Sequence, residues 1–330
     1  MKIALITPAG ARSRTGNRHT AARWAAMLRS LGHDVRVAVE WDGRPADLML
    51  ALHARRSHAS IAAFREKQPR APLVVVLTGT DLYRDIRGDR EAQASLELAD
   101  RLVVLQERGA LELARRLRRK VRVVYQSART GRRHEPPRRG FRVAVVGHLR
   151  DEKDPFRAAL ALAHLGDLPA VEVVQLGEPL GPGTADQARA LMAREPRYRW
   201  LGGVAHSRAL AWMARSHALV VSSRMEGGAN VVCEAAAIGV PVLASRIPGN
   251  VGMLGASYPG YYPLGDERRL AALIRRAATD SAFYRSLARG VAARAPLFRP
   301  RAERSALARV IAELSRPAAS MLLTGSKLRR

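Results

Sequence analysis

The sequence predicts an α/β protein made of two doubly wound parallel-sheet domains that face each other across a deep cleft. Three observations carry this reading. Short, continuous Val/Leu/Ile runs alternate with stretches of helical spacing, the pattern of parallel strands buried on both faces. The alternation is interrupted once, between residues 126 and 140, by a segment with two prolines, five arginines and no apolar periodicity. It then restarts, and a chain of 330 residues accommodates two domains at about 100–200 residues each.

The first expected strand covers residues 3–6. A Gly/Arg/Ser/Thr loop runs from Pro8 to Asn17. Residues 20–31 have helical spacing through Ala21, Trp24, Ala25, Leu28 and Leu31, with Gly32 as a stop. Further strands are expected at 35–39, 48–52, 73–77, 102–105 and 121–125. Beyond the interruption they are expected at 141–146, 171–176, 219–222 and 240–244, followed by helices at 270–278 and 282–293. The tail from Ala302 to about Leu314 reads as a helix able to pack back on the first domain, with fraying expected beyond Pro317. The domains are therefore placed at 1–135 and 136–299, with a C-terminal helix at about 300–330.

Composition narrows the function. Apolar residues are 47% and charged residues 26%, ordinary for a globular core. Lys plus Arg number 56 against 29 Asp plus Glu, a net charge of +27, and 51 of the 56 are Arg. Such a charge suggests an anionic partner. Aromatic residues are 5%, however, and the arginines are spread along helices, loops and the interruption. Nucleic-acid binders instead cluster a basic face with aromatic platforms, so no specific nucleic-acid partner is expected. The single cysteine, Cys233, excludes an internal disulfide and a Cys-based zinc site, and points to a cytoplasmic protein. No apolar run approaches the ~20 residues of a membrane span, the start reads as a strand rather than a leader, and no repeat is evident. Composition does not indicate an oligomeric state.

In doubly wound domains ligands bind at the carboxyl ends of the strands, so chemistry is sought in the loops after them. The most informative stretch runs from Ser222 to Ala235, between a strand and a helix. Gly227 and Gly228 open the loop where it meets the helix, which lets backbone N–H groups approach an anion. Glu226 and Glu234 flank this cradle with seven residues between them, and carboxylates accept hydrogen bonds from sugar or ribose hydroxyls. The same spacing also describes a Gly-containing turn before a core helix with two solvated glutamates.

The run from Glu226 to Glu234, followed by Gly239-Val240-Pro241-Val242, resembles the donor-site signature of the retaining Glu-x7-Glu glycosyltransferases of GT-B fold that use nucleotide sugars. The resemblance implies that Glu226 contacts the donor sugar and Glu234 the ribose of UDP. Gly227, Gly228, Ala229 and Asn230 would hold sugar and pyrophosphate. A second place agrees. Gly147-His148-Leu149-Arg150-Asp151-Glu152-Lys153-Asp154 is similar to the family's G-R-L-x3-K-G segment, with Lys153 at the phosphate-binding lysine. His148 replaces the usual Arg and Asp154 the usual Gly. Arg150 is expected to stand in for that Arg, while His148 also suits a packing role. With Lys153, Arg150 would stabilise charge on the leaving group. Asp-x-Asp, phosphate-binding P-loop, dinucleotide-binding and H-E-x-x-H patterns are all absent from the sequence, so neither a metal nor a resident cofactor is expected.

The first domain would then hold the acceptor. Its loops after strands carry Arg12, Arg14, Gly16, Asn17, Arg18 and Thr20, and Thr78, Gly79, Thr80 and Asp81; a third loop follows Leu52. They are polar, cationic and rich in hydroxyls, which suits a small anionic acceptor; equally, these arginines read as surface charge in an Arg-rich chain. Asp81 also suits capping of the next helix. Thr78-Gly79 stands where the family commonly has His-Gly. Together with the segments at 15–24, 77–86, 147–156 and 223–232, this resembles the selenosugar synthases of selenoneine biosynthesis. The resemblance implies UDP-N-acetylglucosamine or UDP-glucose as donor and selenophosphate as acceptor, giving a 1-selenosugar, UDP and phosphate. Two other readings remain: a GT-B enzyme acting on a carbohydrate or lipid hydroxyl, and a basic nucleic-acid-binding protein.

Overall fold

The computed structural model describes residues 1–10 and 16–315. Arg12 and Arg14 of the expected acceptor loop, and the tail beyond residue 315, lie outside the described residues.

The first sheet has six parallel strands: β1 (Lys2–Ile6), β2 (Asp34–Ala38), β3 (Leu48–Leu52), β4 (Leu73–Leu77), β5 (Arg101–Val104) and β6 (Val121–Val123), in the order β2-β1-β3-β4-β5-β6. β3 (LMLAL) and β4 (LVVVL) are buried at every position, which is why they read as unbroken apolar runs. Helices α1 (Gly16–Ser30), α2 (His58–Lys67), α3 (Thr80–Tyr83) and α4 (Arg90–Leu98) connect them. The second sheet is also parallel: β7 (Phe141–Val146), β8 (Val171–Leu176), β9 (Tyr198–Trp200), β10 (Ala218–Val221), β11 (Val242–Ser245) and β12 (Tyr261–Tyr262), in the order β12-β11-β10-β7-β8-β9. Its helices are α5 (Arg157–Ala161), α6 (Thr184–Arg194), α7 (His206–Ala214), α8 (Asn230–Ile238), α9 (Pro248–Leu254), α10 (Glu267–Thr279) and α11 (Ser281–Arg294). Among the described residues no helix is long and apolar enough to cross a membrane.

Several boundaries differ from the sequence expectation for physical reasons. β9 and β12 span 3 and 2 residues, too short to show a period. β11 starts at Val242 rather than Val240, because the Val240 N–H donates to the Ala235 carbonyl at the end of α8 (2.9 Å) and Pro241 has no N–H to give. The expected linker at 126–140 is not free. Gln126 and Ser127 are buried, and the Glu135 N–H and the His134 ring are bonded to the carbonyls of Ala214 and Ser216 in the second domain.

The last helix, α12 (Pro300–Ser315), returns to the first sheet. Leu307, Val310 and Ile311 share one apolar cluster with Ile3, Leu5, Trp24 and Leu28. A buried acid, Glu303, fixes the return. It accepts hydrogen bonds from Arg23 Nε (2.9 Å), Trp24 Nε1 (2.6 Å), and the Ser127 N–H (2.9 Å) and Oγ (2.5 Å). One carboxylate thus joins α1, the interdomain crossing and α12. Glu303→Ala would leave several of these donors buried and unpaired, and is expected to cost about 3–5 kcal/mol in a urea unfolding curve. A loss below about 1 kcal/mol would show that α12 docks through apolar contact alone.

Candidate active site

In the second sheet the chain order reverses between β7 and β10; in the first it reverses between β1 and β3. Loops leaving neighbouring strands at such a reversal diverge and open a crevice at the carboxyl edge. The two crevices face each other around a cavity of about 1150 Å³, lined from both domains.

On the second-domain wall, Glu226 follows β10 and is 8% exposed. Its Oε1 accepts from Lys153 Nζ (2.5 Å) and Ser223 Oγ (2.6 Å). Lys153 ends a short 3₁₀ turn, and the next residue, Asp154, has φ +44°. That left-handed geometry accounts for the glycine usual here in the resembled family; Asp is among the few side chains that tolerate it. The Ser222 hydroxyl bonds the Lys153 and Asp154 carbonyls, so the loops after β7 and β10 are held together. Gly227, Gly228, Ala229 and Asn230 line the cavity at the start of α8, where backbone N–H groups lack helical partners and favour an anion. His148 accepts the Glu178 N–H on Nδ1 (3.2 Å); His148 and Arg150 line the cavity, and Arg150 Nε is buried with no hydrogen-bond partner among the described residues. Glu234, on the second turn of α8, lies 2.8 Å from His206 Nε2. That hydrogen bond raises the imidazole pKa above its ordinary 6.5, against a smaller effect of burial.

On the first-domain wall, Gly16, Asn17, Thr20, Thr78, Gly79 and Thr80 line the cavity. The Thr20 hydroxyl already donates to the Gly16 carbonyl (2.9 Å) and accepts from Gln126 Nε2 (2.5 Å). Arg18 does not line it. The expectation for Asp81 is corrected: it is fully buried and cannot touch an acceptor. Its Oδ1 accepts the Thr78 and Gly79 N–H groups (2.9 and 2.8 Å) and Oδ2 accepts the Ala54 N–H (3.0 Å), so it holds the loop that carries Thr78 and Thr80. Nor does it cap α3, which starts after Gly79. The walls meet backbone to backbone: Gly79 has φ +145°, and a Cβ built on Gly227 would lie 2.3 Å from the Thr78 carbonyl oxygen.

The sequence model described as "Glycosyl transferases group 1" matches residues 129–293, half of the chain. The chain belongs to the group 1 glycosyl transferases. Among curated proteins none matches this glycosyltransferase at a significant level. Solved structures match it over nearly its whole length at low identity. HepE from Anabaena, in complex with UDP-glucose, is 17% identical with a TM-score of 0.76, over 95% of this chain and 100% of that one. Sucrose-phosphate synthase from Thermosynechococcus elongatus is 16% identical with a TM-score of 0.73, over 95% and 99%. The lipopolysaccharide outer core galactosyltransferase WaaB is 14% identical with a TM-score of 0.67, over 95% and 99%. These likenesses establish the two-domain GT-B fold of the glycosyltransferase.

Sequence reasoning pointed to the loop after Leu52, which carries His53 and Arg56, without naming either as a site residue, and did not place Arg23, Arg129, Arg301, Arg304 or His206 at the site; all line the cavity. Arg301 and Arg304 come from α12, nearly 300 residues from β1 in sequence, and only its return to the first domain brings them there. His206 opens a helix after β9, a strand too short to read. Among the described residues no three His, Cys, Asp or Glu side chains are grouped to hold a metal ion.

Two predictions follow from this geometry. Gly227→Ala forces a side chain into the Thr78 carbonyl and misplaces the two walls; kcat/KM is expected to fall by about 10²-fold with little change in unfolding midpoint. Below its raised pKa His206 is an imidazolium paired with Glu234, and the charge is lost as pH rises through that value. An NMR titration of the His206 ring should therefore show a midpoint above 6.5 that drops in Glu234→Gln. An unshifted midpoint in that variant would show that another group sets it.

Proposed function

We propose that this glycosyltransferase is of the retaining Glu-x7-Glu type and forms a selenium–carbon bond between a UDP-hexose, UDP-N-acetylglucosamine or UDP-glucose, and selenophosphate. The products are a 1-selenosugar, UDP and phosphate, as in selenoneine biosynthesis. The observation that carries the reading is one cavity with two unlike walls. One wall joins a Lys–carboxylate pair to a helix N-terminus; the other presents threonines and arginines with no histidine at the Thr78 position. The fold shared with a structure solved with UDP-glucose supports the donor assignment.

In this reading Glu226 accepts hydrogen bonds from hexose hydroxyls and Glu234 from the ribose. The N–H groups at the start of α8 and Lys153 meet the pyrophosphate, with Arg150 and His148 beside them. Selenium attacks C1, the C1–O bond to UDP breaks, and its electron pair passes to the β-phosphate, where Lys153 and Arg150 stabilise it. Water then cleaves the Se–P bond and phosphate leaves. Selenophosphate is already anionic, so the attack needs no general base. Asn17, Thr78, Gly79 and Thr80, with Arg56, orient it.

Incubation with each UDP-hexose and selenophosphate, read by mass spectrometry, is expected to give a sugar with the selenium isotope pattern. Glu226→Ala is expected to lose about 10²-fold or more of UDP release. Turnover of a hydroxyl acceptor in place of selenophosphate, giving products free of selenium, would overturn the acceptor assignment and leave the donor site standing.

A further inference from the structure

His53 is the first residue after β3, at the chain reversal of the first sheet, and it stands in a costly conformation. Its φ is +74°, where a bulky side chain is rare and persists only if its surroundings enforce it. It is 1% exposed, yet it lines the cavity. Its two ring nitrogens have different partners. Nδ1 accepts the Arg56 N–H (3.3 Å), so in the neutral ring the proton sits on Nε2. Nε2 lies 3.0 Å from Thr80 Oγ1 and 3.9 Å from Asp85 Oδ2. The nearby carboxylate favours the same tautomer, so Nε2–H donates to the threonine oxygen. A hydroxyl that accepts from a fixed donor has its own hydrogen left to give. Thr80 is half-buried on the cavity wall, and Arg56 lines the same cavity.

We propose that His53 is a positioning residue that holds the Thr80 hydroxyl as a hydrogen-bond donor to an oxyanion of the acceptor, with the Arg56 guanidinium supplying charge. The proposal deepens the function given above and rests on it for placing the acceptor against the first domain. It gives the unusual backbone a use: at this φ the ring bonds both the Thr80 hydroxyl and the Arg56 N–H. Burial, with help from Arg56 and Arg55, lowers the His53 pKa against the opposing pull of Asp81 and Asp85, so the ring stays neutral and the relay keeps its direction. It also compensates for Thr78 at the family's usual histidine: a neutral imidazole returns to the acceptor side from a neighbouring strand, acting through a hydroxyl rather than on a proton in flight. Such a subsite favours acceptors that arrive as anions over alcohols that must be deprotonated.

The test uses inorganic phosphate as probe, titrated calorimetrically into the full chain with UDP present. Thr80→Val is expected to weaken phosphate about 10-fold and Thr80→Ser to restore it to within about 2-fold, with UDP affinity unchanged in both. His53→Asn, chosen because Asn tolerates positive φ, is expected to weaken phosphate severalfold, with no further loss in the T80V background. In turnover the acceptor KM should rise while the donor KM holds. The ring ¹⁵N shifts of the unmodified protein should report the Nε2-protonated tautomer, a readout that does not depend on any variant folding. Wild-type phosphate affinity in T80V, additive losses in the double variant, an Nδ1-protonated ring, or no phosphate binding at tens of millimolar would each overturn the proposal. A chain that binds phosphate as described but makes no selenium-bearing sugar fails the functional reading alone.

Discussion

The contact on which the site depends is one from which side chains are excluded. Where the carboxyl edges of the two sheets meet, Thr78 and Gly79 lie against Gly227, and Gly228 against Leu105; a Cβ on Gly228 would lie 2.6 Å from Leu105 Cβ. Bare backbone at this seam lets the loop after β4 and the start of α8 approach to van der Waals distance. Glycine there gives up more chain entropy than another residue, of order 0.5–1 kcal/mol at each position. In return, the helix N-terminus and the threonine wall come close enough to line one cavity. The polar side chains of both walls then surround this seam: Lys153, Glu226, His148 and Arg150 on one side, and Thr78, Thr80, His53 and Arg56 on the other.

The excess of arginine reads differently once its partners are known. Many guanidinium groups close loops by capping backbone carbonyls. Arg65 reaches the carbonyls of Pro69, Ala71 and Leu98, Arg197 those of Leu162 and Leu165, Arg294 those of Gly252 and Met253, and Arg118 those of Leu111 and Leu113. A planar fork of five donors serves two or three acceptors at once, which a lysine ammonium does not do with the same geometry. This gives a structural use to several of the 51 arginines that outnumber the five lysines. Within the cavity the cations divide further. Arg23 is tied to Glu303 and Lys153 to Glu226, whereas Arg56, Arg301 and Arg304 are exposed on the walls.

Much of the architecture was legible because parallel strands buried on both faces write themselves as apolar runs; β3, β4, β7 and β8 were placed to within a residue. Elements whose existence depends on neighbours were not legible. β12 has two residues and is a strand only because β11 presents an edge. At the site, Glu226, Gly227 and Lys153 carry a pattern along the chain, so they could be read. Asp81 has the composition of a ligand but is turned inward by three backbone donors, which no local spacing reveals. His53 looks like an ordinary loop residue until its positive φ is known. Arg301 and Arg304 belong to the site because the last helix returns to the first sheet, held by Glu303 and by Leu307, Val310 and Ile311.

That last helix has a consequence for the order in which the protein can be completed. The first sheet is assembled from residues 2–123, but one of its two apolar faces is covered in part by Leu307, Val310 and Ile311. During translation, that face waits while about 180 further residues emerge, among them every strand of the second sheet. The second domain has all its strands and helices α5 to α11 in hand before Glu303 reaches Trp24. The domain synthesised first is thus sealed last, and a ribosome-bound chain halted before residue 300 would carry an unfinished first domain beside a finished second domain.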